Sequence, residues 1–179
     1  MIIVKEDILS KKECKLLIDI HEQFKNWEEY KGTDVFRFSE HWYHVLLGGH
    51  LNSNMNPFGD SHLQLYEFTQ YILAKINGHI QSIDSKSYMS YAQIVRWNEG
   101  SYQPLHYDHK GDEWTSIFYL NDADGGDTII GDERVSPKQG RVVTFNGGSV
   151  KHGVDTVKSG KRYTIPVWYH GDFFKNFGK

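Results

Sequence analysis

The tripeptide His106-Tyr107-Asp108 places a histidine and an aspartate two residues apart, a spacing that could bind a metal ion. If this stretch is a β-strand, residues two apart point to the same face, so the imidazole and the carboxylate would converge on one point. The pair alone is a weak signal for a metal site. A third candidate ligand, His152, lies directly before another predicted strand and makes the hypothesis more specific.

Two histidines and one carboxylate can occupy one face of an octahedron and leave three coordination positions open. Non-haem Fe(II) sites that activate O2 use this ligand set, although zinc binds the same side chains well. In the alternative interpretation, His152 is a turn residue and the three side chains never meet. The sequence therefore indicates a metal centre at His106, Asp108 and His152, with iron and zinc both open.

Arg162 follows His152 by ten residues, within Gly160-Lys161-Arg162-Tyr163-Thr164. One strand and a turn separate the two side chains, so we expect both to face the same barrel interior from neighbouring strands. An inward-facing arginine is costly unless it meets an anion, and its planar fork suits a carboxylate. A dicarboxylic 2-oxo acid would bind the metal at one end and Arg162 at the other. The alternatives are an ion pair with a protein carboxylate, or a solvent-facing side chain beside Lys161.

Two amphipathic helices are predicted in the first 86 residues. The chain has 179 residues, of which 39% are hydrophobic and 15% aromatic, which is enough for the core of one domain. The first helix is expected from Ser10 to about residue 25, with Ser10 and Glu13 forming a capping box. The second is expected from Asp60, its N-cap, to about Ile83. Together they make residues 1–86 a mainly helical layer.

The pattern changes to a period of two after residue 87. Alternation puts Tyr91, Gln93, Val95 and Trp97 on one strand face, and turn residues separate the later runs. Many short strands at close spacing favour a sandwich or barrel, so residues 87–172 would form a β core within a single domain of residues 1–179. The further strands are predicted at Trp114–Leu120, Asp127–Ile130, Gly140–Phe145, Val154–Val157 and Arg162–Tyr169.

Charge and cysteine content exclude several classes of protein. The net charge is -3 with interspersed signs, so we expect no stable complex with nucleic acid. The apolar runs are too short to cross a bilayer, and residues 1–7 lack the features of a signal peptide. Cys14 is the only cysteine, so no internal disulfide can form. A soluble, cytoplasmic protein without a membrane partner is expected, and its oligomeric state is not predicted.

The second half of the chain contains seven motifs: Trp97-Asn98-Glu99-Gly100, His106-Tyr107-Asp108, Thr115 to Asn121, Gly125-Gly126-Asp127-Thr128, Pro137 to Phe145, His152-Gly153-Val154, and Gly160 to Thr164 with Trp168. In this order and at these spacings, they together resemble the 2-oxoglutarate and Fe(II)-dependent dioxygenases, specifically the prolyl-4-hydroxylase-like group. The resemblance implies a double-stranded β-helix (a jelly-roll or cupin-like barrel) supported by two main helices. It also implies Fe(II), 2-oxoglutarate as cosubstrate and O2, with ascorbate as an accompanying reductant.

The resemblance also implies a role for each matched residue. His106, Asp108 and His152 match the iron ligands at the catalytic centre, and Arg162 matches the residue that binds the distal carboxylate of 2-oxoglutarate. The remaining matches are expected at the cosubstrate pocket: Tyr119 sharing that carboxylate, Trp168 lining the pocket, and Thr164 adding a hydroxyl on the face of Arg162. Trp97 stands where many members have a tyrosine near the metal, and Gln93 or Tyr102 could supply that contact instead.

The expected reaction is hydroxylation of a C–H bond with release of succinate and CO2. Asp108 favours hydroxylation, because related halogenases have a small residue at this position. Prolyl residues in a peptide are the first substrate expected by analogy, and small molecules stay open. The loop from Gly48 to Gly59 and the stretch from Lys110 to Glu113 are expected to form the substrate rim. The alternatives are a metal-binding cupin-like module without oxygenase activity, and a structural β-sandwich.

Overall fold

The computed structural model of the chain describes residues 1–23, 28–30, 41–47, 63–109 and 111–171. Within them lie two helices, α1 (Lys11–Gln23) and α2 (Leu63–Gln81). The strands of the first half are β1 (Ile2–Lys5), β2 (Glu28–Tyr30) and β3 (His41–Leu47). Those of the second half are β4 (Tyr88–Asn98), β5 (Gln103–His106), β6 (Asp112–Tyr119), β7 (Asp124–Gly125), β8 (Thr128–Ile130), β9 (Glu133–Val135), β10 (Val142–Phe145), β11 (His152–Val154), β12 (Val157–Ser159) and β13 (Lys161–His170).

Helix α1 begins with the predicted capping box. The Ser10 backbone N–H donates to Glu13 Oε2 at 2.6 Å, and the Glu13 N–H donates to Ser10 Oγ at 3.3 Å. These bonds satisfy two amide groups that have no partner inside the helix. The buried side of the helix consists of Cys14, Leu17, Ile20 and His21.

Glu13 also links α1 to α2. Its carboxylate accepts hydrogen bonds from Lys75 Nζ at 2.8 and 2.9 Å and from the Tyr71 hydroxyl at 2.6 Å. Burial acts to raise the pKa of Glu13, but the bonds from Lys75, Tyr71 and Ser10 outweigh it and lower the pKa to about 2. The ionised carboxylate is therefore the form that holds the two helices together.

Replacement of Glu13 by glutamine is expected to lower the free energy of unfolding at pH 7 by about 1–2 kcal/mol, because charge-assisted bonds to Lys75 and the cap are lost. The pKa of Glu13 falls on folding from its ordinary 4.5 to about 2, so this contribution is complete above pH 4.5. It disappears as the pH falls towards 2. Urea denaturation of wild type and Glu13→Gln at several pH values measures the difference, with exposed Glu67→Gln as control. A difference that stays constant down to pH 2 would contradict the assignment.

All pairings between the described strands are antiparallel. A seven-stranded sheet has the order β1-β10-β6-β13-β4-β3-β2, and a four-stranded sheet has the order β5-β11-β8-β9. Strands β12 and β7 form a separate short ribbon. The fold is therefore mainly β with two helices, as the sequence predicted, and no described sheet closes into a complete barrel.

Side chains alternate along the central strand β13, so that one face packs into the larger core and the other faces a cavity. One face of β13 packs with residues of both helices into the larger core: Tyr163, Ile165, Val167 and Tyr169. The other face borders a cavity between the two sheets: Arg162, Thr164, Pro166 and Trp168. The side chains of β4 alternate in the same way. Ala92 and Ile94 lie in the larger core, whereas Gln93, Val95 and Trp97 line the cavity. The predicted strand face of β4 is thereby confirmed for these last three residues.

Two features of the chain differ from the expectations above. The predicted strand Val154–Val157 is wrong, because β11 ends at Val154 and β12 begins at Val157 in a different sheet. At Asp155 the backbone N–H donates to Asp127 O, and the Asp155 carboxylate accepts from the Thr156 N–H, so the chain turns from one sheet to the other. The first 86 residues also supply strands β1 to β3 to the seven-stranded sheet, which local periodicity did not indicate.

The expected loop at Gly48–Gly59, the Asp60 N-cap and Lys110 lie outside the described residues. Across the described ranges, neither helix has the length and apolarity that a bilayer span requires.

Candidate active site

Three side chains from two segments converge at one end of the cavity. His106 is the last residue of β5, His152 is the first residue of β11, and the two lie directly opposite each other in the antiparallel pair. Their ring centroids are 4.4 Å apart. Asp108 Oδ2 lies 3.4 Å from His152 Nε2, and Asp108 Oδ1 lies 3.9 Å from His106 Nε2. One ligand atom from each residue lies within 4.8 Å of the others, which is compact enough for a single metal ion.

The position of Asp108 beside the two histidines does not follow from the alternation of side chains along a strand. The prediction that His106 and Asp108 share one strand is wrong, because β5 ends at His106. Instead, the Asp108 backbone N–H donates to Gly147 O at 3.0 Å, which turns the chain so that the carboxylate points back to the histidines. The predicted convergence occurs, but a tertiary hydrogen bond causes it.

Backbone carbonyls orient both imidazoles. His106 Nδ1 lies 2.9 Å from Pro104 O, and His152 Nδ1 lies 3.0 Å from Val150 O. A carbonyl can only accept, so each Nδ1 carries the hydrogen and each Nε2 presents a lone pair to the site. The Thr115 hydroxyl donates to Asp108 Oδ2 at 2.5 Å. Two Nε2 atoms and a hydrogen-bonded carboxylate fit Fe(II) or zinc, with the outer hydrogen bonds that metal ligands usually have.

The electrostatics of His106 and Asp108 favour the protonation states that bind a metal ion. Burial, and next the electrostatic effect of His152, hold the pKa of His106 below its ordinary value. Burial acts to raise the pKa of Asp108, but its interactions with His152, Thr115 and Trp168 lower the pKa overall. A neutral His106 and an ionised Asp108 at neutral pH are the forms that coordinate a cation.

Gly147 leaves the space in which Asp108 and Thr115 meet. A Cβ at this position would lie 2.2 Å from Asp108 Oδ2 and 2.3 Å from Thr115 Oγ1, far inside van der Waals contact. Any larger residue must displace the carboxylate or break its hydrogen bond to Thr115. Gly147 is therefore a steric requirement of the candidate metal site.

Gly147→Ala is expected to weaken Fe(II) binding roughly 10- to 100-fold, the usual effect of losing an outer contact to a metal ligand. Anaerobic calorimetric titration with Fe(II) measures this change. Gly78→Ala is a suitable control, because a Cβ at Gly78 in α2 meets no atom within 4 Å. Equal Fe(II) affinity in Gly147→Ala and wild type would show that Asp108 does not depend on this space.

Arg162 lies at the other end of the same cavity and is 1% exposed. Its guanidinium carbon lies 5.8 Å from the centroid of the Trp97 ring and 5.4 Å from that of Tyr119. Nη2 donates to Thr128 Oγ1 at 3.1 Å and Nη1 to Thr164 Oγ1 at 3.5 Å, while the buried Nε has no hydrogen-bond partner.

No described carboxylate forms an ion pair with Arg162; Asp127 acts on it only through its charge. Burial lowers the pKa of Arg162, and the nearby Tyr119 and Asp127 oppose that change. A buried guanidinium with a free N–H and no carboxylate is an expensive arrangement unless a bound anion completes it. The residues present therefore fit an acidic ligand.

The cavity between these two groups has a volume of about 90 Å³. It is lined by His106, Asp108 and His152 at one end and by Arg162 and Thr164 at the other. His152 and Arg162 face it from opposing sheets, so the prediction that they lie on neighbouring strands is wrong. The side chains of His152 and Arg162 face the same cavity because the two sheets pack against each other.

The structure separates the other predicted site residues into two sets. Trp168, Thr164, Gln93 and Trp97 line the cavity. Tyr119 and Tyr102 do not line it.

Sequence reasoning missed Thr115, Thr128 and Gly147, which hold Asp108 and Arg162 in place. Thr128 lies at the end of the quoted Gly125-Gly126-Asp127-Thr128 motif, which was the available signal for it. Thr115 likewise begins the motif Thr115 to Asn121, but its position opposite Trp168 in the pairing of β6 with β13 follows only from the register.

A larger open groove of about 670 Å³ adjoins the metal end of the cavity. The two share His106, Asp108, Gln103 and Trp168. Six further residues line the groove but not the cavity: Ser90, Tyr91, Tyr107, His109, Asp112 and His170.

Comparison with known proteins agrees with this geometry. Residues 92–170 match the 2OG-Fe(II) oxygenase superfamily. The viral collagen prolyl hydroxylase of Paramecium Bursaria Chlorella virus-1 is 20% identical, with 95% of each chain covered and a TM-score of 0.63. A Trichoplax adhaerens prolyl hydroxylase, solved with a hypoxia inducible factor peptide fragment, is 15% identical, with 95% of this chain and 83% of that chain covered and a TM-score of 0.73. A Pseudomonas putida prolyl-4-hydroxylase is 14% identical, with coverages of 95% and 92% and a TM-score of 0.63.

No curated protein sequence matches the chain. The solved structures confirm the expected double-stranded β-helix fold with supporting helices. Residues 92–170 contain all three candidate metal ligands and Arg162. In this segment the chain is therefore similar to the 2OG-Fe(II) oxygenase superfamily, and as a whole it has the fold of these prolyl hydroxylases.

Proposed function

We propose that the chain hydroxylates a C–H bond of a prolyl residue in a peptide, coupled to decarboxylation of 2-oxoglutarate. The balanced reaction converts the C–H group, 2-oxoglutarate and O2 into the C–OH group, succinate and CO2. The main support for the proposal is that one cavity has a suitable binding group at each of its two ends. A possible metal site lies at one end, and a buried arginine without a carboxylate partner lies at the other.

The three ligands His106, Asp108 and His152 would hold Fe(II), which when bound supplies the activation of O2. The Arg162 fork would bind the distal carboxylate of 2-oxoglutarate, with Thr164 beside it. Trp97 and Trp168 line the cavity with apolar rings and would exclude water from the reacting groups. Zinc fits the same ligands, but it has no redox chemistry with which to activate O2.

The adjoining groove supports a peptide substrate. Tyr91, Tyr107 and Trp168 line it with aromatic surface, and Tyr107 is 54% exposed at its edge. Proline-rich segments bind well to aromatic-lined grooves, because their extended conformation is already formed. The Trichoplax structure holds a peptide fragment on the same fold, which favours this substrate class by analogy.

The first test of this function needs no substrate. Addition of 2-oxoglutarate to the Fe(II)-loaded protein without O2 is expected to produce a weak visible metal-to-ligand charge-transfer band. If the band forms, proline-containing peptides can be compared by succinate release and by the gain of one oxygen atom in the peptide mass. If iron binds but no band forms, the protein is a metal-binding module and the proposal fails. Turnover of 2-oxoglutarate that no prolyl peptide stimulates would refute the substrate class alone.

A further inference from the structure

One carboxylate in the open groove beside the metal site has no role in the proposed reaction. Two aspartates line this groove: Asp108 belongs to the candidate metal site, and Asp112 lies outside it. Asp112 is the first residue of β6 and is 7% exposed. Its backbone N–H donates to His109 O at 2.9 Å, so a tight turn directly after the metal ligand fixes its position. A nearly buried carboxylate therefore lines the space in which a substrate would lie.

Asp112 lacks the cationic partner that a buried carboxylate usually has. Among the described residues, no lysine or arginine lines the groove or forms an ion pair with Asp112. His170 Nδ1 lies 3.7 Å from Asp112 Oδ1, which is too far for a hydrogen bond. The same Nδ1 lies 3.1 Å from Gly111 O, and a carbonyl can only accept, so the Nδ1 hydrogen is directed to that oxygen. The Asp112 carboxylate can therefore accept hydrogen bonds from a bound molecule.

The electrostatic surroundings of Asp112 favour a cationic ligand. Burial raises the pKa of Asp112; the electrostatic effect of His170 opposes this rise, and that of Asp108 adds to it. The ionised carboxylate is therefore destabilised relative to water, and a positive charge beside it would offset that cost. Lys151 packs over the Tyr107 ring, with Nζ 5.9 Å from its centroid, but it does not line the groove.

Strand register places Asp112 close to the aromatic surface of the groove. Asp112 lies opposite His170 in the pairing of β6 with β13, and Trp168 precedes His170 by two residues. Two residues along a strand span about 7 Å. The Trp168 ring contacts the Tyr91 ring, with centroids 5.4 Å apart, and also lines the metal end of the cavity. A prolyl residue on these rings would therefore have a neighbour, one or two residues away in an extended peptide, at Asp112.

We propose that Asp112 selects a peptide in which a lysine or arginine stands one or two residues from the prolyl residue. The carboxylate would accept a charge-assisted hydrogen bond from the ammonium or guanidinium group of that residue. Asp112 takes no part in the oxidation; it distinguishes one peptide from another. The inference rests on the proposed function, because it names a feature of the peptide substrate of the same site.

The test uses short peptides that contain one proline and differ at one position, placed one or two residues before or after it. That position carries lysine, norleucine, which has a similar stem without the charge, or glutamate. Without O2, the protein loaded with Fe(II) and 2-oxoglutarate can bind a peptide but cannot hydroxylate it, so calorimetry measures peptide affinity directly. At the matching position, the wild type is expected to bind the lysine peptide about tenfold more tightly than the norleucine peptide, and the glutamate peptide most weakly.

Asp112→Asn keeps the shape of the side chain and removes its charge. This variant is expected to bind the lysine peptide about tenfold more weakly than the wild type does, and no more tightly than the norleucine peptide. Glu113→Gln is the matched control, because Glu113 is the next residue, is exposed and does not line the groove. It removes the same charge from the chain and should keep the preference for lysine.

Equal affinity of the wild type for the lysine and norleucine peptides at every position would overturn the inference. A preference for lysine that persists in Asp112→Asn would do the same. Hydroxylation is measured separately, by the gain of one oxygen atom in the peptide mass when O2 is admitted. If the lysine peptide binds selectively but gains no oxygen, the proposed function fails while the role of Asp112 in peptide binding stands. If the wild type binds none of the peptides, the peptide substrate class and this inference fail together.

Discussion

Asp108→Ala is expected to remove both Fe(II) binding and the charge-transfer band formed with 2-oxoglutarate. Asp108 supplies the only anionic group of the candidate site, and the other two ligands are imidazoles. Its loss leaves two neutral nitrogen ligands for a divalent cation that prefers a carboxylate in this position. We expect Fe(II) affinity to fall by about 100-fold or more, since loss of a mere outer contact already costs 10- to 100-fold. Anaerobic titration with Fe(II), followed by 2-oxoglutarate, measures both effects.

Asp132→Ala is the control for this experiment, because Asp132 is an exposed aspartate in the turn between β8 and β9. Both variants should show the circular dichroism spectrum of the wild type, so that a loss of iron cannot be attributed to unfolding. An Asp108→Ala protein that still forms the band at wild-type 2-oxoglutarate concentrations would exclude Asp108 as a ligand.

Arg162→Met is expected to weaken 2-oxoglutarate binding by about 100-fold or more while leaving Fe(II) affinity unchanged. Two charge-assisted hydrogen bonds to a carboxylate, at about 1.5–3 kcal/mol each, correspond to a loss of this size. Methionine fills much of the space between Trp97 and Tyr119, and replacing a buried charge by an apolar side chain usually preserves stability. Arg162→Lys keeps the charge but loses the fork, so its affinity should lie between the two.

The measurement is the dissociation constant of 2-oxoglutarate for the iron-loaded proteins, with 2-oxopentanoate for comparison. The latter should bind wild type and Arg162→Met equally, because it has no distal carboxylate. Arg134→Met, at an exposed arginine that pairs with Asp155, is the matched control. If Arg162→Met binds 2-oxoglutarate as tightly as wild type, Arg162 does not hold the cosubstrate and the metal-module interpretation takes its place.

Features that depend on neighbours along the chain were predictable. The capping box of Ser10 and Glu13 forms as expected, because both partners lie within one helical turn. Alternation in β4 and β13 placed Trp97, Arg162 and Trp168 on one side, and the structure puts all three at the cavity. Local periodicity is enough for these features, since each requires only the geometry of a single element.

Features that depend on contacts between distant segments were not predictable. Asp108 lies beyond the end of β5 and is turned inward by Gly147, and Thr128 reaches Arg162 from the opposite sheet. Strands β2 and β3 join the large sheet beside β4, although nothing in their local pattern distinguishes them from an irregular segment. Each case depends on which strands pair and in which register.

The sequence by itself determined the types of the chemical groups and their order along the chain: two histidines, one aspartate and one arginine on β-rich segments. The tertiary structure decided that they face one cavity, that no described carboxylate neutralises Arg162, and that Thr115, Thr128 and Gly147 hold the reactive groups in place. The reason is physical. Side-chain direction within a strand follows from local backbone geometry, whereas the meeting of two sheets depends on hydrogen bonds and packing between residues far apart in sequence.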